Sequence, residues 1–179
     1  MPFEDDGLVV RRRDDETWTV VEQLVYRGKR DVFVVPAGFP TDFASVPRFA
    51  VWLIPRFGRY TLPAILHDWL CREGIRGGLV TPREADGLFR RAMRELGVPV
   101  VRRWLMWAGV RWGALTVPDR RRGWVVSAPG VIVISVLAAP VVVPPGLLIV
   151  LALAVYGFVE NLVSPGARER PTDSGSLRT

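Results

Sequence analysis

The chain has 179 residues, 49% of them apolar, with 24 basic side chains against 18 acidic ones and a formal net charge of +6. That length suits one core plus an appendage. The single Cys71 excludes an intrachain disulfide or a multi-cysteine zinc centre. Almost all of the positive charge is arginine, Lys29 being the only lysine, as a high-GC coding bias would give.

The charge is unevenly spread. Residues 1–123 are mixed, whereas Trp124–Val159 holds no charged residue, which implies two different solvents. The acidic start MPFEDDGLVVRRRDDE offers no secretory signal. Next, GLVV, TWTVVEQLVY and DVFVV are rich in β-branched and aromatic residues and are separated by charged turns, which predicts a three-stranded antiparallel meander.

The run PAGFPTDFASVPR, residues 36–48, is a stiff loop that holds Thr41, Asp42 and Ser45. Pro47 and Pro55 bracket at most two helical turns. In TLPAILHDWLCREG, Thr61 is the expected cap and Gly74 the stop. Leu62, Ile65, Leu66, Trp69 and Leu70 form its apolar stripe, which leaves His67, Asp68 and Cys71 on the flank or opposite face.

A second helix starts at Thr81, with Pro82 at its first position, Glu84 completing a capping box and Gly97 beyond its end. Its core face holds Ala85, Leu88, Phe89, Ala92, Met93 and Leu96. A third helix, Pro99 to Ala114, places Val101, Trp104, Leu105, Ala108 and Trp112 on one side, with Arg102, Arg103 and Arg111 elsewhere.

The charge-free stretch reads as two membrane spans, Val125–Val143 and Leu147–Val163, of about 28 and 25 Å as helices. Between them Pro144, Pro145 and Gly146 predict a reversal. Arg120, Arg121 and Arg122 before the hairpin and Arg168 and Arg170 after it place both ends in the cytoplasm, with Trp124 at the interface. The expected organisation is an α+β domain over residues 1–116, a β-meander packed with about three helices. A basic hinge over 117–124, a transmembrane helical hairpin over 125–163 and a polar tail over 164–179 follow it.

VPAGFPTDFASVPR, GRYTLPAILHDWL and READGLFRRAMRELGVPVVRRWLMWAGVRWG together resemble the domain of unknown function catalogued as number thirteen fifty-three, found in short phage and bacterial proteins. The resemblance covers roughly Thr17 to Gly113. It carries over Gly38, Thr41, Asp42, Ser45, Pro47, Arg48, His67, Asp68 and Asp86 as motif positions. Where the resemblance leads one to expect an aromatic residue four places after the histidine, this chain has Cys71, and the apolar segment lies outside the matching region.

His67 is the only histidine. Adjacent helical residues do not face each other, so Asp68 is a poor partner for it and Asp42 or Asp86 a better one. A nucleophilic triad would use Ser45, His67 and one of these carboxylates, although FASVP lacks the glycines of a nucleophile elbow. Alternatively, Asp42, His67 and Asp86, with Asp68 near, would hold a divalent ion such as Mg²⁺ or Mn²⁺. In a third reading Asp42 or Ser45 caps the short helix after the loop and His67 bonds the backbone; a ligand pocket without chemistry is a fourth.

Arginines interleaved with Trp104, Trp107 and Trp112 would suit nucleic acid, but a neighbouring bilayer accounts for them more simply. The expected partners are membrane lipid, through the hairpin, and another protein. The function that follows is that of a membrane-associated accessory protein, phage-related or from a high-GC bacterium, with a hydrolase using His67, Asp42 and Asp86 as the alternative.

Overall fold

The computed structural model describes residues 2–4, 7–14, 17–28, 31–43, 46–121 and 123–163. Five short strands open the chain: β1 (Val10–Arg12), β2 (Trp18–Val20), β3 (Leu24–Arg27), β4 (Val32–Val35) and β5 (Pro40–Thr41). They form two small antiparallel sheets instead of one meander. One has the order β1-β2-β5, with Val10 opposite Val20 and Trp18 opposite Thr41; the other pairs β3 with β4, Leu24 opposite Val35.

The expected long middle strand breaks at Val21–Gln23 because the backbone of Val20 and Val21 is claimed by other segments. The Val20 amide donates to the Phe39 carbonyl at 2.9 Å and the Val21 amide to the Val9 carbonyl at 2.9 Å. The stiff loop is thus partly a strand. Gly38, with φ +86°, makes the turn that brings Pro40 and Thr41 beside β2, and its amide donates to the Val20 carbonyl at 2.8 Å.

Phe43 follows with φ +64°, a region that a bulky residue occupies only under constraint. Its side chain is buried against Trp18 and Phe57, and its amide donates to the Thr41 hydroxyl at 3.0 Å. The 3₁₀ turn Arg48–Ala50 starts at Pro47 with no side-chain cap, so Asp42 does not cap it. Ser45 lies outside the described residues.

Two helices pack on the strands and a third packs on them. Helix α1 (Thr61–Trp69) runs into a π turn over Leu70–Gly74, α2 spans Pro82–Glu95 and α3 spans Val100–Gly113. Val20, Tyr26 and Val35 from the strands meet Ile65, Leu66 and Leu70 in one core. A second cluster, with Tyr60, Phe89, Met93 and Met106, joins α1, α2 and α3.

The apolar stripe of α1 is buried, but His67 is buried with it and not on an exposed face. Thr61 is not the cap of α1; its hydroxyl accepts from the Gly58 amide at 2.9 Å. In α2 the capping box is complete in both directions and the expected core face points inward. Helix α3 is rotated from expectation: Met106, Ala108 and Arg111 are buried, while Val101 and Trp112 are exposed.

The largest correction concerns the apolar segment. Trp124–Val163 is one continuous helix, α4, about 60 Å long, and not a hairpin. Pro129, Pro140, Pro144 and Pro145 each remove one backbone donor, yet their fixed φ is already helical, so they interrupt hydrogen bonds without turning the chain. Gly146, the residue best able to leave the helix, stays helical without positive φ and is buried against Phe49. Through Gly146 one side of α4 lies on α3 and on the Arg48–Ala50 turn, and most of the helix beyond is exposed.

Thr81→Ala removes the acceptor for the Glu84 amide and should lower stability by about 1 kcal/mol in urea unfolding. Thr81→Ser should retain most of it.

Candidate functional site

Asp86 lies on the inner face of α2, with no exposed surface. A carboxylate there needs partners for both oxygens. Oδ1 is 2.7 Å from His67 Nε2 of α1 and accepts from Arg120 Nη2 at 3.0 Å; Oδ2 accepts from Arg111 Nη1 of α3 at 2.8 Å. Arg111 is itself 1% exposed.

The arrangement extends into α4. Arg111 Nε donates to Ser127 Oγ at 2.9 Å, Ser127 Oγ donates to the Trp124 carbonyl at 2.8 Å, and Trp124 Nε1 donates back to the Arg111 carbonyl at 2.9 Å. Arg120 comes from the 3₁₀ turn Pro118–Arg120, so the stretch expected to be a basic hinge turns one guanidinium inward. One carboxylate thus gathers α1, α2, α3 and the approach to α4.

Burial by itself pushes the His67 pKa down, but the hydrogen bonds to Asp86 and Cys71 and their charges outweigh it, and the value is raised to about 9. Burial pushes Asp86 up, while His67, Arg111 and Arg120 act against it and hold its carboxyl below the usual range. At neutral pH the Asp86 carboxylate therefore meets three cationic side chains. Arg111 Nη2 and Arg120 Nε are buried without a hydrogen-bond partner, so donors exceed acceptors there.

Ligand atoms of His67, Cys71 and Asp86 lie within 4.8 Å of one another, with Cys71 Sγ 3.5 Å from His67 Nε2. This set differs from the expected trio, since Asp42 is not in it. It also fits a cation poorly: both Asp86 oxygens are occupied, and two guanidinium groups stand within 3.0 Å of them. Mg²⁺ or Mn²⁺ would need several free oxygens.

Asp68 has other bonding partners. Asp68 pairs with Arg72 Nε at 2.9 Å, and Arg72 Nη1 donates to the Pro40 carbonyl at 3.2 Å, which ties α1 to the loop strand. Burial raises the Asp68 pKa to about 6; Arg72 lowers it and the negative charge of Asp42 raises it. The structure therefore brings His67 to Asp86 and places Asp42 in the field of Asp68, whose carboxyl also feels the His67 charge. Ser45 is outside the described residues, so its place relative to His67 is not part of this geometry.

Arg111, Arg120 and Ser127 escaped the sequence reading. The available signal was a lone arginine inside the apolar, tryptophan-rich WAGVRWG, a position that solvation does not explain. The arginine and tryptophan pattern also has an internal use: Arg90 stacks over Trp104 at 4.2 Å, and Trp104 meets Trp107 edge to face at 5.4 Å.

A family model described as a protein of unknown function (DUF1353) matches residues 18–110. The chain belongs to this family. The DUF1353 region includes His67, Asp68 and Asp86 and stops one residue short of Arg111, so the cluster joins the family domain to residues beyond it. No curated protein and no solved structure matches the chain significantly.

A folded-state pKa raised from 6.5 to about 9 means that the native protein holds the His67 proton more tightly than the unfolded chain does. The stabilisation is complete below about pH 6.5 and disappears as pH rises through 9. Urea unfolding should show stability falling across that window, and His67→Gln should flatten the profile.

Proposed function

We propose that the protein is a membrane-anchored, non-catalytic accessory protein that acts through contacts with another protein. The observation that carries this reading is the saturation of Asp86. Its carboxylate is buried and bonded to three side chains, two of which come from α3 and from the segment leading into α4. Such a group is spent on holding elements together.

Support for a membrane comes from α4. It is long and apolar enough to cross one, with mean hydropathy 2.5 in its most apolar window, and 6% of that window is buried inside the protein. A helix apolar on all sides and left uncovered fits a lipid surrounding better than water. A single helix cannot return the chain to its starting side, so two spans with both ends cytoplasmic give way to one crossing. Arginines on the domain side of α4, including Arg48 in the turn packed on it, favour the cytoplasm for the DUF1353 domain.

A hydrolase built on His67, Asp42 and Asp86 has less support. His67 is 8% exposed, Asp86 not at all, and Asp42 is not in their cluster.

The test is extraction of membranes from cells that express the full chain. The protein should stay in the pellet through alkaline carbonate, and Leu151→Arg with Val155→Arg should release it, since each central arginine costs about 2.5–3.5 kcal/mol of insertion. Release of the unaltered protein, or equal retention of the double variant, would count against a crossing helix.

A further inference from the structure

The point where α4 leaves the domain is marked by a distinct surface. Gly146 packs on Phe49, so the end of the domain built from residues 46–60 stands beside the middle of the helix, far from Trp124. Ile54 and Val98 share one apolar cluster with Tyr60, the Tyr60 hydroxyl donates to the Pro55 carbonyl, and Arg59 lies 3.5 Å from the position of a Cβ on Gly97. The α2–α3 turn and the start of α3 therefore belong to the same end.

This end is apolar, aromatic and basic together. Phe49, Trp52, Phe57, Val100 and Val101 are exposed on it, Phe57 at 57% and Val101 at 71%. Arg48, Arg56 and Arg59 are exposed among them, and neither residues 46–60 nor residues 97–117 include an acidic side chain. Aromatic side chains prefer the headgroup level of a bilayer, and arginines gain there from anionic lipid.

We infer that the DUF1353 domain docks on an anionic bilayer through this end, so that the membrane surface meets α4 near Gly146 and not at Trp124. The inference rests on the membrane reading above and fixes where the bilayer lies. Up to Gly146 the helix is flanked by a charged domain, which hydrocarbon cannot accommodate. Leu147–Val163 is the part with no domain beside it, about 25 Å of helix including Glu160 in its last turn, at the short end of a spanning length. Both halves of α4 are apolar, residues 125–143 through eight valines and two isoleucines and residues 147–163 through five leucines, so the flanking domain and not composition sets the boundary. Glu160 then falls at the far interface.

The full chain, with Cys71→Ser to leave no native thiol, would carry a fluorophore on one cysteine introduced as Phe57→Cys, Val125→Cys or Leu153→Cys. Trp52→Cys serves as a second reporter if Phe57→Cys alters the circular dichroism. Each protein is placed in phosphatidylcholine vesicles with or without phosphatidylglycerol and quenched by nitroxide lipids or aqueous iodide. Shallow nitroxides should quench position 57 at least about fivefold more than position 125, which iodide reaches. Deep nitroxides should quench position 153. Quenching at 57 should weaken without phosphatidylglycerol and in Arg48→Glu/Arg56→Glu/Arg59→Glu.

Lipid quenching at 153 with position 57 in water would overturn the docking while leaving the anchor intact. Equal lipid quenching at 57 and 125 would overturn the placement of the surface, and quenching at 57 that ignores phosphatidylglycerol and the arginines would overturn the anionic preference. Absence of lipid quenching at 153 would overturn the membrane reading itself.

Discussion

A carboxylate with no exposed surface stays ionised only when hydrogen bonds and opposite charges replace the water it has lost. Asp86 meets that condition with three donors from three separate parts of the chain. The surrounding helices are consequently not interchangeable apolar rods. Each is fixed in rotation by the need to present His67, Asp86 or Arg111 to one point, and the orientation of α3, unexpected from its apolar pattern, follows from burying Arg111. The cost of stripping water from a guanidinium is offset only while the carboxylate is there to receive it.

The same network explains how an apolar 40-residue helix is joined to a charged domain. Arg111 holds Ser127, Trp124 returns a bond to the Arg111 carbonyl, and Arg120 reaches Asp86 from just before α4. A flexible basic hinge would leave the two parts free to reorient. Here the first half of α4 is aligned along α3, and Phe49 meets it again at Gly146. The domain is thus held at a set place along α4.

Much of this was legible in the sequence where one local rule acted without competition. The capping box of α2 is written in Thr81, Pro82 and Glu84, and the structure closes it in both directions. The antiparallel strands, the order of three helices and the family were likewise readable, and exclusion of Asp68 as the partner of His67 left Asp86 among two candidates. What was not legible depends on distant segments. Which strand β2 pairs with is decided by Pro40 and Thr41 some twenty residues on, and a β-branched run carries no record of that choice. The proline pair in α4 was read as a reversal because proline breaks hydrogen bonds, yet its fixed φ is itself helical and the chain, Gly146 included, continues as one helix packed on Phe49. Arg111 was placed outside by charge alone, since its partner carboxylate lies 25 residues away on another helix.

The measurement that tests the central claim most directly is a double-mutant cycle on Asp86 and Arg111, read as urea unfolding of the full chain in detergent micelles. Asp86→Asn alone should cost about 3–5 kcal/mol, because it leaves Arg111 buried without a counter-charge. Arg111→Met in the same chain should recover much of that loss, giving a coupling energy of about 2 kcal/mol or more. Additive losses, or an Asp86→Asn variant as stable as the parent, would contradict the account and return the carboxylate to the status of a group kept for chemistry.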